Sequence, residues 1–128
     1  MKRLALVSIL LLAFAFVATS FAQEDVLSGK WKVNTSTPGY TLDKNEGDRT
    51  VTIQVSFDKP FDTKPDVILG VTLLDAASKD NVRYNVAPIS ISRDGFVIKI
   101  ATWSNSKISA IGGYWMAHAM EKDSDSDY

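Results

Sequence analysis

ISISRDGFVIKIATW, running from Ile89 to Trp103, sets two alternating apolar runs on either side of an Asp-Gly pair. That pattern signals a β-hairpin, because glycine accepts the positive φ that tight hairpin turns require. With the loop near residues 93–95, cross-strand partners have numbers summing to about 187–189. Ile89 and Ile91 are then expected to face the core against Phe96, Ile98 or Ile100, leaving Val97, Lys99, Ala101 and Trp103 on the outer side. At its open end the ladder puts Arg83 opposite Ser104 to Asn105, where directly opposed Cβ atoms lie about 5 Å apart. The apolar parity slips between Val86 and Ile89, at Ala87-Pro88, so a bulge or an edge position is expected there.

Outward from the hairpin, strand signals continue and helical periodicity is absent. TVTIQVSF (Thr50 to Phe57) alternates cleanly, with Val51, Ile53, Val55 and Phe57 on one face, as a half-buried antiparallel strand does. Further runs lie at Gly29–Thr35, Pro65–Asp75, Val82–Ser92 and Ile108–Met120. Six short strands with one apolar face each bury those faces by stacking, so the expected fold is all-β, a six-stranded antiparallel β-sandwich of two three-stranded sheets. Gly112-Gly113 in the last run marks a bulge or close sheet packing. The longest connection, STPGYTLDKNEGD (Ser36 to Asp48), is either a mobile connector or a binding loop.

Residues 1–22 read as a secretory leader: Lys2 and Arg3, an apolar run, then Ser20-Phe21-Ala22 before Gln23. The expectation is a secreted protein, extracellular or periplasmic, with no membrane anchor. Residues 23–120 form one domain, and the acidic tail 121–128, EKDSDSDY, is expected to be disordered. There are no cysteines, so stability must come from packing or from association with other copies. With Lys2 and Arg3 removed, 12 basic residues face 15 acidic ones, a net charge of −3. That balance gives no reason to expect a nucleic-acid partner. His118 is the sole histidine, leaving little material for an imidazole metal site or a catalytic triad. No catalytic residue, metal ligand or cofactor is assigned, and the chain is not expected to be an enzyme. Asn34-Thr35-Ser36 is a glycosylation acceptor only in a eukaryotic source.

An outward indole at Trp103, beside the Arg83 guanidinium and the short polar side chains of Ser104 and Asn105, suits a carbohydrate. The C–H patch of a sugar ring packs on an aromatic face while its hydroxyls take fixed hydrogen bonds. Arginine adds a rigid fork of donors able to grip two adjacent hydroxyls. The plainer alternative has Trp103 capping the sandwich edge and Arg83 in a surface ion pair.

Four segments in one order, FDKPFDTKPDVILGVTLLD (57–75), NVRYNV (81–86), DGFVIKIATWSNSKI (94–108) and ISAIGGYWMAHA (108–119), resemble the H-type lectin domain. This is the galactose- and N-acetylgalactosamine-binding module of snail agglutinins and of the C-terminal end of discoidins. The resemblance implies a sandwich that trimerises, sometimes into hexamers, and binds glycans without metal in clefts between protomers. The family's sugar-binding arginine falls on Arg83, its tryptophan on Trp103, and the next contact on Ser104, where some snail members have histidine. Ser109 stands where many members have an aromatic. From the early loop Glu46 aligns without a gap, with Asp43, Asn45 and Asp48 as alternatives. Because Ser104 and Ser109 depart from better-known members, a structural or adhesion module that assembles but has lost sugar binding is the alternative function.

Overall fold

The computed structural model describes residues 25–77 and 79–119. The expected leader (1–22) and acidic tail (121–128) lie outside the described residues. Six strands follow in order: β1 (Asp25–Asn34), β2 (Arg49–Ser56), β3 (Asp66–Ala76), β4 (Tyr84–Ile89), β5 (Gly95–Thr102) and β6 (Ile108–Ala119). They form two three-stranded antiparallel sheets, β1-β6-β3 and β2-β5-β4. The expected all-β sandwich is the fold observed.

The core lies between the sheets because each strand turns its apolar parity inward. Phe96, Ile98 and Ile100 of β5 are fully buried, as are Ile108 and Ile111 of β6, and Val51 of β2 is nearly so. At one end the core closes on aromatics: Phe57 stacks edge-on against Phe61 at 5.0 Å, and Phe96 meets Trp115 at 5.5 Å. The other end carries polar loops. Main-chain hydrogen bonds tie the β1–β2 and β5–β6 loops together there, Gly47 N–H to Ser104 O at 2.9 Å and Ile108 N–H to Leu42 O at 2.9 Å. Ala77 N–H donates to Lys107 O at 3.0 Å and brings in the β3–β4 connection. Three of the five connections therefore share one rim.

The hairpin differs in detail from its expected form. Partners sum to 186 rather than 187–189, with Tyr84 opposite Thr102 and Ile89 opposite Val97. Ile89 consequently points outward, 39% exposed, while Val86 and Pro88 face Ile100 and Ile98. β4 runs without a bulge at Ala87-Pro88, and its proline sits on an edge strand, where a missing N–H costs least. The parity change falls later, at Ser90, whose φ of 52° is left-handed. After that turn Ile91 packs against the core. Gly95 is not needed for positive φ; a Cβ there would stand 2.1 Å from the Val55 carbonyl oxygen of β2. Close strand approach, not turn geometry, requires the glycine. Gly112-Gly113 does face a bulge, a register shift between Val71 and Leu73 of β3.

Candidate functional site

Strand pairing brings the candidate residues to the polar rim. Tyr84 and Thr102 form the last rung of the β4–β5 ladder. Arg83 comes immediately before that rung and Trp103 immediately after it, so both leave the sheet at the same end. The change in register shifts Arg83 from its expected place opposite Ser104–Asn105 to the position flanking the Tyr84–Thr102 rung, level with Trp103. Asn105 still meets it: Arg83 Nη1 donates to Asn105 Oδ1 at 3.4 Å, and also to Asn81 O at 3.4 Å. Both bonds are long and both use Nη1. Among the described residues Nε and Nη2 make no hydrogen bond, which leaves donors of a half-buried guanidinium open to a ligand.

Trp103 is 40% exposed, far more than the core indole Trp31 at 5%. Its ring is therefore not part of the core. Ser104 is exposed and left-handed, φ 59°. That backbone turns its carbonyl inward to the Gly47 N–H and to Arg49 Nη2, the latter at 3.1 Å. Glu46 is exposed in the loop beside Gly47, one residue from the bond to Ser104. The structure thus brings Arg83, Trp103, Ser104, Asn105 and the segment bearing Glu46 to one rim. No hydrogen bond joins the Glu46 carboxylate to the others among the described residues.

The other early-loop candidates divide by exposure. Asn45 and Asp48 are exposed, whereas Asp43 is half-buried with its Oδ1 inside. Burial pushes the Tyr40 phenol up to about 12, with the carboxylates of Asp43 and then Asp75 adding to the effect. Tyr40 donates its proton to Ile108 O at 2.5 Å and so pins the loop to the start of β6. Lys107 donates to the Asn45 carbonyl.

Sequence reasoning missed Arg49. It is only 6% exposed, and its guanidinium donates to the carbonyls of Gly47 (3.1 Å), Leu42 (3.4 Å), Lys44 (2.8 Å) and Ser104 (3.1 Å). One buried cation thereby folds the early loop around itself and fastens it to the loop that carries Trp103. A signal was present: Arg49 shares the inward parity of Val51, Ile53 and Val55. Two buried hydroxyls, Thr102 and Ser106, also bond to the rim, both to the main chain around Arg83. His118 pairs with Val26 and Asp66 near the far end of β6, away from the rim. Among the described residues no group of three or more His, Cys, Asp or Glu side chains could hold a metal ion.

Sandwich and rim together define the class: an all-β domain with a guanidinium on the β3–β4 connection and an exposed indole on the adjoining β5–β6 loop. The sequence model of the H-type lectin domain matches residues 52–118, just over half of the chain. This chain belongs to the H-type lectin domain family, and membership implies a carbohydrate-binding, non-catalytic domain. It is 30% identical over 82 residues to ATP synthase subunits region ORF 7 of Fuscovulum blasticum, covering 64% of this chain and 70% of that protein. It is 31% identical over 81 residues to a discoidin-1 polypeptide of Dictyostelium discoideum, covering 62% of this chain and 32% of that one. Among solved structures, wild-type discoidin II from Dictyostelium discoideum superposes with a TM-score of 0.69 at 22% identity, a likeness of fold. That match covers 81% of this chain and 40% of discoidin II, so the chain spans well under half of either discoidin.

Proposed function

We propose that this chain is a secreted lectin for galactose- and N-acetylgalactosamine-type sugars. Arg83 and Trp103 form the centre of its site, with Ser104, Asn105 and Glu46 around them. The observation that carries the reading is the meeting of Arg83 and Asn105 at 3.4 Å beside an exposed Trp103, on a rim fixed from beneath by Arg49. A pyranose stacks its C–H face on the indole while the free guanidinium donors take two adjacent hydroxyls. Family membership supports the chemistry, and no step in it calls for a metal or a cofactor.

We further propose that the site is completed between copies in a trimer or hexamer. The outer face of β1-β6-β3 supports this: Ile68 is 57% exposed and lies directly beside Met116, with Tyr114 two residues along β6 and Val26 exposed on β1. Such a patch on a soluble domain marks an interaction surface. Export through the leader read at residues 1–22 belongs to the same proposal.

A glycan array tests the function. Binding concentrated on terminal galactose-type sugars, and absent from Arg83→Ala, is the expected result. An array with no bound glycan, from an assembled protein, favours the structural or adhesion module instead.

A further inference from the structure

Three polar or charged side chains in the described residues are buried: Arg49, Thr102 and Ser106. All three bond to the main chain of the rim. Arg49 holds the early loop; the two hydroxyls act on the residue proposed to grip the sugar. Thr102 Oγ1 donates to the carbonyl of Arg83 at 2.6 Å, and Ser106 Oγ accepts from the N–H of Arg83 at 2.9 Å. Ser106 also donates its own proton to the carbonyl of Asn81 at 2.8 Å, which fixes which way the hydroxyl points. Thr102 is 1% exposed and Ser106 2%.

We infer that Thr102 and Ser106 are positioning residues for Arg83, a role that rests on the sugar-binding reading above. A hydroxyl taken out of water is unfavourable unless its bonds are remade inside the protein. Here those bonds are remade to the N–H and the carbonyl of one residue. Arg83 lies outside β4, just before its first rung, so the sheet ladder does not hold its main chain. The hydroxyls substitute for that ladder: one comes from the last residue of β5, the other from the loop after Trp103. Because both hydroxyls of the clamp lie on the segment that carries Trp103, guanidinium and indole are held in one frame. Binding that needs two groups at a fixed separation is sensitive to loss of that frame.

The test measures affinity for an N-acetylgalactosamine-bearing glycan, with circular dichroism and assembled mass alongside, in Thr102→Val, Ser106→Ala and Thr102→Ser. Thr102→Val and Ser106→Ala each weaken binding roughly tenfold, the scale of one well-made buried hydrogen bond. Thr102→Ser, which keeps the hydroxyl, binds like the parent. Affinity falls in the two hydroxyl variants while their far-ultraviolet circular dichroism and assembled mass stay those of the parent, an outcome a general loss of structure does not give. Parent-like affinity in both Thr102→Val and Ser106→Ala overturns the inference and leaves the lectin reading standing. If Thr102→Val does not fold, Ser106→Ala alone decides the same question. If the parent binds no glycan, the lectin reading fails, and the clamp is then read by hydrogen exchange. The Arg83 amide is expected to be protected in the parent and to exchange faster in Ser106→Ala; an amide unprotected in the parent overturns the clamp itself.

Discussion

Arg49 directs its guanidinium at four main-chain carbonyls, and each of them loses a partner when the side chain is shortened. Replacement by Met keeps the apolar stem but orphans those acceptors, so Arg49→Met should lower unfolding free energy by roughly 2–3 kcal/mol in urea titration. The same variant should become sensitive to protease within residues 36–48, where the guanidinium is the main internal tie. Tyr40 gives a pH signature of the same loop. Its phenol is raised from 10.0 to about 12 by burial and then by Asp43 and Asp75. The folded state therefore holds the proton more tightly than the unfolded state does. Its contribution is complete below about pH 10 and is lost as pH climbs toward 12. An ultraviolet titration should show one phenol ionising near pH 12, and Tyr40→Phe should lack it. At this scale the sequence disclosed Arg83 and Trp103 because a hairpin carries both to its open end. It hid Arg49, since a lone charged residue at an inward position gives no hint of the carbonyls a distant loop will offer.

β6 is the central strand of its sheet, flanked by β1 and β3, and at its paired glycines the flanking main chain leaves no room for a side chain. A Cβ on Gly113 would stand 1.8 Å from the Gly70 carbonyl oxygen, and one on Gly112 2.7 Å from that of Trp31. Neither neighbour is a side chain that can swing away. Gly113→Ala and Gly95→Ala should each destabilise by more than about 2 kcal/mol, as overpacking against main chain does. Gly70→Ala meets nothing within 4 Å and should stay within about 0.5 kcal/mol of the parent. Thermal denaturation of the three variants compares them directly. Strand number, the division into two three-stranded sheets and the clean alternation of β2 were legible because a half-buried strand writes its period into the sequence; beyond the hairpin, which strands share a sheet was not. The β4–β5 register was not. Its parity changes at Ser90, a left-handed residue that is not glycine, so nothing in the residue types marks the place. The Asp-Gly pair that does stand out lies at the end of the loop, where its glycine serves strand packing.

The whole molecule joins an aromatic-plugged end to a polar rim, and turns one outer sheet face, with Ile68 and Met116 side by side, toward solvent. Assembly through that face should give a mass of three or six copies in light scattering, and Ile68→Asp should reduce it toward one. A parent that stays a single copy at every concentration removes the basis for a site shared between protomers. A lone site on a monosaccharide should be weak, on the order of 0.1–1 mM, with useful avidity arising from several sites presented together. That Arg83 and Trp103, the side chains proposed to centre the site, share one rim was legible in the sequence; the position of Glu46 was not, because it and its neighbours are placed by Arg49 and Tyr40 rather than by any local pattern. The most direct test of the central claim is a tryptophan fluorescence titration with N-acetylgalactosamine, since Trp103 is the exposed indole while Trp31 lies in the core and Trp115 packs against it. The account predicts a saturable blue shift that disappears in Trp103→Phe and also in Arg83→Ala, where the indole itself remains. No shift in the assembled parent, or an undiminished shift in both variants, would contradict it.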